Sequence, residues 1–142
     1  RKAVPGIAIR TTFITGFPGE TEEDHQELME FIEEFRFERA GIFTFSREEG
    51  TKAYKMPNQV HHRTKARRYN EATMLLARLA SETGQEQIGR QIRVLVDAPG
   101  VARTEWDAPD IDGTVSVPLT LPVGQFATVT VTDAVAYELT AE

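Results

Sequence analysis

The sequence has 142 residues, 40% hydrophobic and 27% charged, with no cysteine and a formal net charge of −6. Those values exclude a disulfide framework, any cysteine-ligated cluster or zinc within the chain, and a strongly basic phosphate binder. No apolar run is long enough to cross a membrane and Arg1-Lys2-Ala3-Val4-Pro5 does not read as a secretory leader, so a cytoplasmic protein is expected.

The first element in chain order is a strand over Ile7 to Thr15, rich in β-branched residues and fairly apolar on both faces, as a covered parallel strand would be. Gly16 and Gly19 bracket Phe17-Pro18 and supply the backbone freedom for a sharp turn. Thr21 is the expected N-cap of the next helix, with Asp24 completing a capping-box pattern. Leu28, Phe31, Ile32 and Phe35 follow at helical spacing and form one apolar stripe. Ala40 to Phe45 is the next strand, which gives a strand–helix–strand unit.

Ser46 to Met56 reads as a loop, and Pro57-Asn58 introduces a long helix from about Gln59 to Glu86. Its expected buried stripe is Tyr69, Thr73, Leu76, Leu79, Ala80 and Thr83, with Arg63, Lys65, Arg67 and Arg68 mostly solvated. After Gly89 the pattern changes to five short alternating strands around 90–96, 101–106, 113–117, 127–132 and 135–140, expected to close a small antiparallel barrel. The charge divides unevenly along the chain. Residues 1–88 hold 13 basic and 14 acidic residues (net −1), and residues 89–142 hold 3 and 8 (net −5). The expected fold class is therefore α/β plus all-β. Two parallel strands leave both outer edges unpaired, so residues 1–57 are expected to be the last portion of a larger α/β domain.

At RTTFITGFPGETEED, FTFSREEGTKAYKM and DAPDIDG, the sequence resembles the radical-SAM methylthiotransferases, and within them the branch that modifies an aspartate of a small-subunit ribosomal protein. The three segments occur in the family's order and lie on two different domains. The resemblance implies that residues 1–57 end a partial TIM-type radical-SAM barrel, 58–88 form a connecting helix and 89–142 form an OB-like TRAM barrel. It also implies S-adenosylmethionine and two [4Fe–4S] clusters in the parent enzyme. This chain holds no cysteine and so cannot bind either cluster.

Gly16, Phe17, Pro18 and Gly19 lie just past the end of a parallel strand, the edge where α/β folds bind ligands. Glu20, Glu22, Glu23 and Asp24 crowd the helix start and would repel an anion, so a neutral or cationic ligand such as S-adenosylmethionine fits better. The alternative is that the glycines only shape the turn and the acids only support the helix. The resemblance places Phe45 and Ser46 beside the cofactor too; the plain reading is a loop with a packing Phe.

Arg10, inside an apolar strand, is read as a buried cation that grips a substrate or cofactor carboxylate, or else makes a structural ion pair. Trp106 with Asp107, Asp110 and Asp112 forms an acidic, aromatic-flanked loop that would dock a basic ribosomal protein; the alternative is a turn whose aspartates cap backbone groups. Neither a membrane nor nucleic acid is an expected partner. His25, His61 and His62 read as a solvated set, with no metal site and no side-chain catalyst. Two rival readings remain, a methylthiotransferase acting on transfer RNA and a non-catalytic OB-like binding module. The negative barrel argues against the first. The second requires residues 1–57 to fold without further strands.

Overall fold

The computed structural model describes residues 2–109 and 111–142, arranged as two compact units, 1–77 and 78–142. In the first unit, strand β1 (Arg10–Thr15), helix α1 (Glu22–Phe35) and strand β2 (Arg39–Thr44) form a βαβ element. β1 and β2 pair in parallel, from Arg10 opposite Arg39 to Thr15 opposite Thr44, in a two-stranded sheet. β1 starts at Arg10, three residues later than its composition suggests.

Helix α1 begins as its sequence dictates. Asp24 N–H donates to Thr21 Oγ1 at 3.1 Å and Thr21 N–H donates to Asp24 Oδ2 at 2.8 Å, a reciprocal capping box. The helix ends at Arg36, whose φ of 50° lies in the left-handed region. Ile32 is fully buried, and Phe35 stacks on Phe37 at 4.4 Å while Phe13 meets Phe37 edge-on at 5.5 Å. One face of the sheet is covered in this way. On the other face Ile14 and Phe43, which are register partners, are 56% and 63% exposed.

Helix α2 (His62–Gln85) is the long helix expected, three residues shorter at its start. Its buried residues are Arg68, Ala72, Leu75, Leu76, Leu79, Ala80 and Gly84. The expected stripe is thus rotated: Thr73 is exposed, and Arg68, expected in solvent, is inside.

The second unit closes as a barrel of β3 (Gln91–Ala98), β4 (Val101–Thr104), β5 (Val115–Ser116), β6 (Phe126–Val135) and β7 (Glu138–Ala141), in the order β3-β4-β5-β7-β6. Alternate residues face inward, and Val94, Val96, Ala102, Val115, Val129, Val131 and Leu139 form its core. The barrel is not wholly antiparallel, because β5 and β7 run parallel. An odd number of strands cannot alternate direction around a closed ring, so one seam must be parallel. It falls at the shortest strand.

Candidate functional site

β1 delivers the chain to the turn at 16–20. Phe17 C=O accepts from Glu20 N–H at 3.0 Å, and Gly19 has φ +91°, the pattern of a type II turn with Pro18 and Gly19 at its centre. Gly16 has φ +76°, and a Cβ there would lie 2.5 Å from Lys65 Cγ. Gly16 and Pro18 are buried; Phe17 turns outward, 43% exposed, and meets Phe45 edge-on at 5.1 Å. Gly19 N–H donates to Asn58 C=O at 2.9 Å.

The acids crowding this turn are answered by cations from α2. Arg68 Nη1 donates to Glu20 Oε1 at 2.6 Å and to the Glu20 backbone oxygen at 3.1 Å. The Glu20 carboxylate also accepts from Gly16 N–H at 2.9 Å, which ties the guanidinium to the turn itself. Arg68 is 5% exposed and Glu20 12%, so the pair is largely withdrawn from water. Glu22 accepts from Arg67 at 2.6 Å and from Arg68 at 3.1 Å, and these bonds hold its carboxyl below the ordinary glutamate value. Asp24 is held low by the Thr21 backbone and hydroxyl bonds. The charge argument drawn from the sequence is corrected here: three of the four acids are engaged locally, and the turn does not present four bare carboxylates.

A second pair joins the two helices. His25, read as solvated, is 3% exposed, and its Nε2 lies 2.9 Å from Glu71 Oε2. Glu71 is held below its ordinary value mainly by Arg67, then by His25. Hydrogen bonding to Arg67 makes the Glu71 carboxylate a fixed anchor for α1 against α2.

β2 leads into Phe45 and Ser46. Phe45 N–H continues the parallel ladder by donating to Thr15 C=O at 2.8 Å, so both strand ends stay in step. Lys65 Nζ donates to Phe45 C=O at 3.1 Å and sits 4.9 Å from the Phe45 ring centre. Ser46 Oγ donates to Glu48. The structure therefore brings Gly16, Phe17, Pro18, Gly19 and Phe45 together at one edge. Arg10 is not among them: it is the first residue of β1, exposed, at the opposite end. The expectation of a buried Arg10 is corrected because a strand's first residue sits at the sheet margin, not in its middle.

On the barrel, Asp107 is 7% exposed and its Oδ2 accepts from Thr104 N–H at 3.0 Å and Thr104 Oγ1 at 2.6 Å. Asp112 Oδ2 accepts from Ala108 N–H at 2.7 Å. Both act as backbone caps of the loop, the alternative weighed above. Asp110 lies outside the described residues. Trp106 is half-buried, and its Nε1 has no hydrogen-bond partner among the described residues. A second feature was not foreseen from the residue pattern. Arg93 lies 4.0 Å above the Phe126 ring, and with Leu95, Arg103 and Thr104 these residues line a surface groove of about 300 Å³.

Residues 88–142 match the model of the TRAM domain. The ribosomal protein uS12 methylthiotransferase RimO of Akkermansia muciniphila is 99% identical over 142 residues, which is 100% of this chain and 31% of that protein. The chain belongs to the RimO family. The RimO of Opitutus terrae is 54% identical over 141 residues, 99% of this chain and 30% of its own length. That of Desulforamulus reducens is 46% identical over 151 residues, 100% of this chain and 34% of its own. The chain thus spans about a third of the length of the RimO proteins it matches.

The family assignment agrees with the resemblance read from GFPGE, the Phe45 segment and DAPDIDG. What sequence reasoning missed in this RimO-family chain is the set Lys65, Arg68 and His25–Glu71. Three charged residues at 65, 67 and 68 beside four acids at 20–24 was the only signal available, and nothing in the spacing pairs them.

Proposed function

We propose that this chain is the C-terminal portion of a radical-SAM methylthiotransferase that modifies an aspartate of ribosomal protein uS12 in the cytoplasm. Residues 1–57 end the radical-SAM barrel, 58–88 form the linking helix and 89–142 form the TRAM domain. The observation that carries this reading is identity along the whole chain to proteins named uS12 methylthiotransferases.

The turn at Gly16–Gly19 with Phe45 and Ser46 forms one wall of the S-adenosylmethionine pocket. The residues present fit that ligand. Gly19 leaves open space at the turn, and the outward Phe17, packed on Phe45, offers an apolar flank to a purine. Pairing of Glu20 and Glu22 with Arg67 and Arg68 offsets part of the negative charge at this edge. The iron–sulfur clusters do not fit here: the sequence contains no cysteine, so their ligands belong elsewhere in the full-length protein. When bound, S-adenosylmethionine and the clusters supply the C–H chemistry, and this chain's residues bind, orient and exclude water.

The barrel, net −5, docks a basic ribosomal protein through its field rather than through the buried Asp107. Asp97, Glu105, Asp133, Glu138 and Glu142 are its exposed acids among the described residues.

The test is expression of the full-length protein in cells that lack their own uS12 methylthiotransferase, followed by mass spectrometry of uS12 and of transfer RNA. A methylthio group on a uS12 aspartate is the expected result. Modified transfer RNA with unmodified uS12 would replace this reading by the RNA one.

A further inference from the structure

One side chain reaches both segments of the proposed cofactor wall, and it comes from neither. Lys65, on the first turn of α2, lays its methylene chain across Gly16: a Cβ at position 16 would lie 2.5 Å from Cγ, 3.0 Å from Cδ and 3.2 Å from Cβ of Lys65. The chain then carries its ammonium to the end of β2. There Nζ donates to Phe45 C=O at 3.1 Å and lies 4.9 Å from the Phe45 ring centre. That ring in turn packs edge-on against Phe17, the outward residue of the turn. Gly16, Lys65, Phe45 and Phe17 therefore form a closed loop of contacts around the strand ends.

Each contact has a distinct physical role. Only a glycine permits methylenes to approach position 16 so closely. A hydrogen bond from an ammonium to a backbone carbonyl is charge-assisted and directional, so it fixes where the chain leaves β2. A cation near an aromatic face adds attraction and holds the ring's orientation. Arg68, three residues on and on the same helix face, anchors the far side of the turn through Glu20.

We propose that Lys65 is a positioning residue for S-adenosylmethionine binding: it sets the separation and orientation of the 16–19 turn and the Phe45 edge while contributing no catalytic group. This rests on the cofactor-wall reading above. Loss of the ammonium lets Phe45 and Phe17 relax apart, which weakens the ligand without removing any group it touches.

The experiment measures equilibrium binding of S-adenosylhomocysteine, as the probe, to the full-length protein, with thermal unfolding recorded on each variant. Lys65→Met keeps the methylene strap and removes the ammonium, and it is expected to raise Kd about tenfold, the effect of one charge-assisted hydrogen bond. Lys65→Arg retains a cation and is expected to restore most of the affinity. Phe17→Ala tests the underlying wall and is expected to weaken binding at least as much.

If Phe17→Ala weakens binding and Lys65→Met leaves it at the parent value, the positioning role is overturned and the wall stands. If both leave it unchanged, the wall reading falls and the proposal falls with it. A lower unfolding temperature for Lys65→Met at parental Kd would make Lys65 merely structural and likewise overturn the proposal.

Discussion

The βαβ unit and the barrel solve the same problem by opposite means. The barrel closes on itself: each strand has two neighbours, and its core is a single cluster of inward-facing Val, Ala and Leu residues. The βαβ unit has two strands, and Ile14 and Phe43 remain exposed on one face of its sheet. Its turn at 16–20 lies past the end of the β1–β2 ladder. It is held instead by charged side chains from α2, with Arg68 on Glu20, Arg67 on Glu22 and Lys65 on Phe45. At this edge, contacts between residues distant in sequence fix the ends of β1 and β2.

The sharpest way to break this contrast is Arg68→Ala. It leaves Glu20, 12% exposed, without its guanidinium, and removing one partner of a buried pair costs about 3–5 kcal/mol. Native-state hydrogen exchange should show lost protection across residues 10–77 with barrel amides unaffected. Equal loss in the barrel would show that the two units do not open independently.

Leu139→Ala should do the reverse. Leu139 is 8% exposed in the barrel core, and truncation there is expected to cost about 2–4 kcal/mol, read as faster exchange at Val94, Val96 and Val131 while β1 and β2 keep their protection.

The smallest effect is the acid response of α1. The carboxyls of Asp24 and Glu71 are held low in the folded state, by Thr21 and by Arg67 respectively. A depressed folded value means that their contribution is present above the ordinary carboxylate range and is lost as pH falls through and below about 4. The unfolding midpoint of residues 1–77 should therefore drop on that side. Thr21→Ala removes the hydroxyl partner of Asp24 and leaves the backbone N–H of residue 21, so it should cost about 1 kcal/mol at neutral pH and flatten part of the acid slope. An unchanged slope would assign the acid response elsewhere.

Much of this was legible locally. The capping box at Thr21 and Asp24, the Ile32 face of α1 and the five barrel strands all follow from contacts within a few residues of each other, where period and turn chemistry speak directly. The latches did not. Arg68 and Glu20 are 48 residues apart, Lys65 and Phe45 are 20 apart and His25 and Glu71 are 46 apart, and helical periodicity alone assigns such cations to water. Arg10 looked buried because its neighbours are apolar, but it begins the strand and is exposed. Asp107 looked like a surface charge because its loop is acidic, but Thr104 turns it inward. In each case the missing information was which distant residue arrives to share the space.

Position 16 is shut to other amino acids twice over: by a backbone angle of +76° and by the Lys65 methylenes already occupying the volume a side chain would need. Shortening residue 65 opens the volume but leaves the angle, and adjusting the angle leaves the collision. No single substitution at either place opens position 16 to a side chain, so the glycine should persist whatever residue stands at 65.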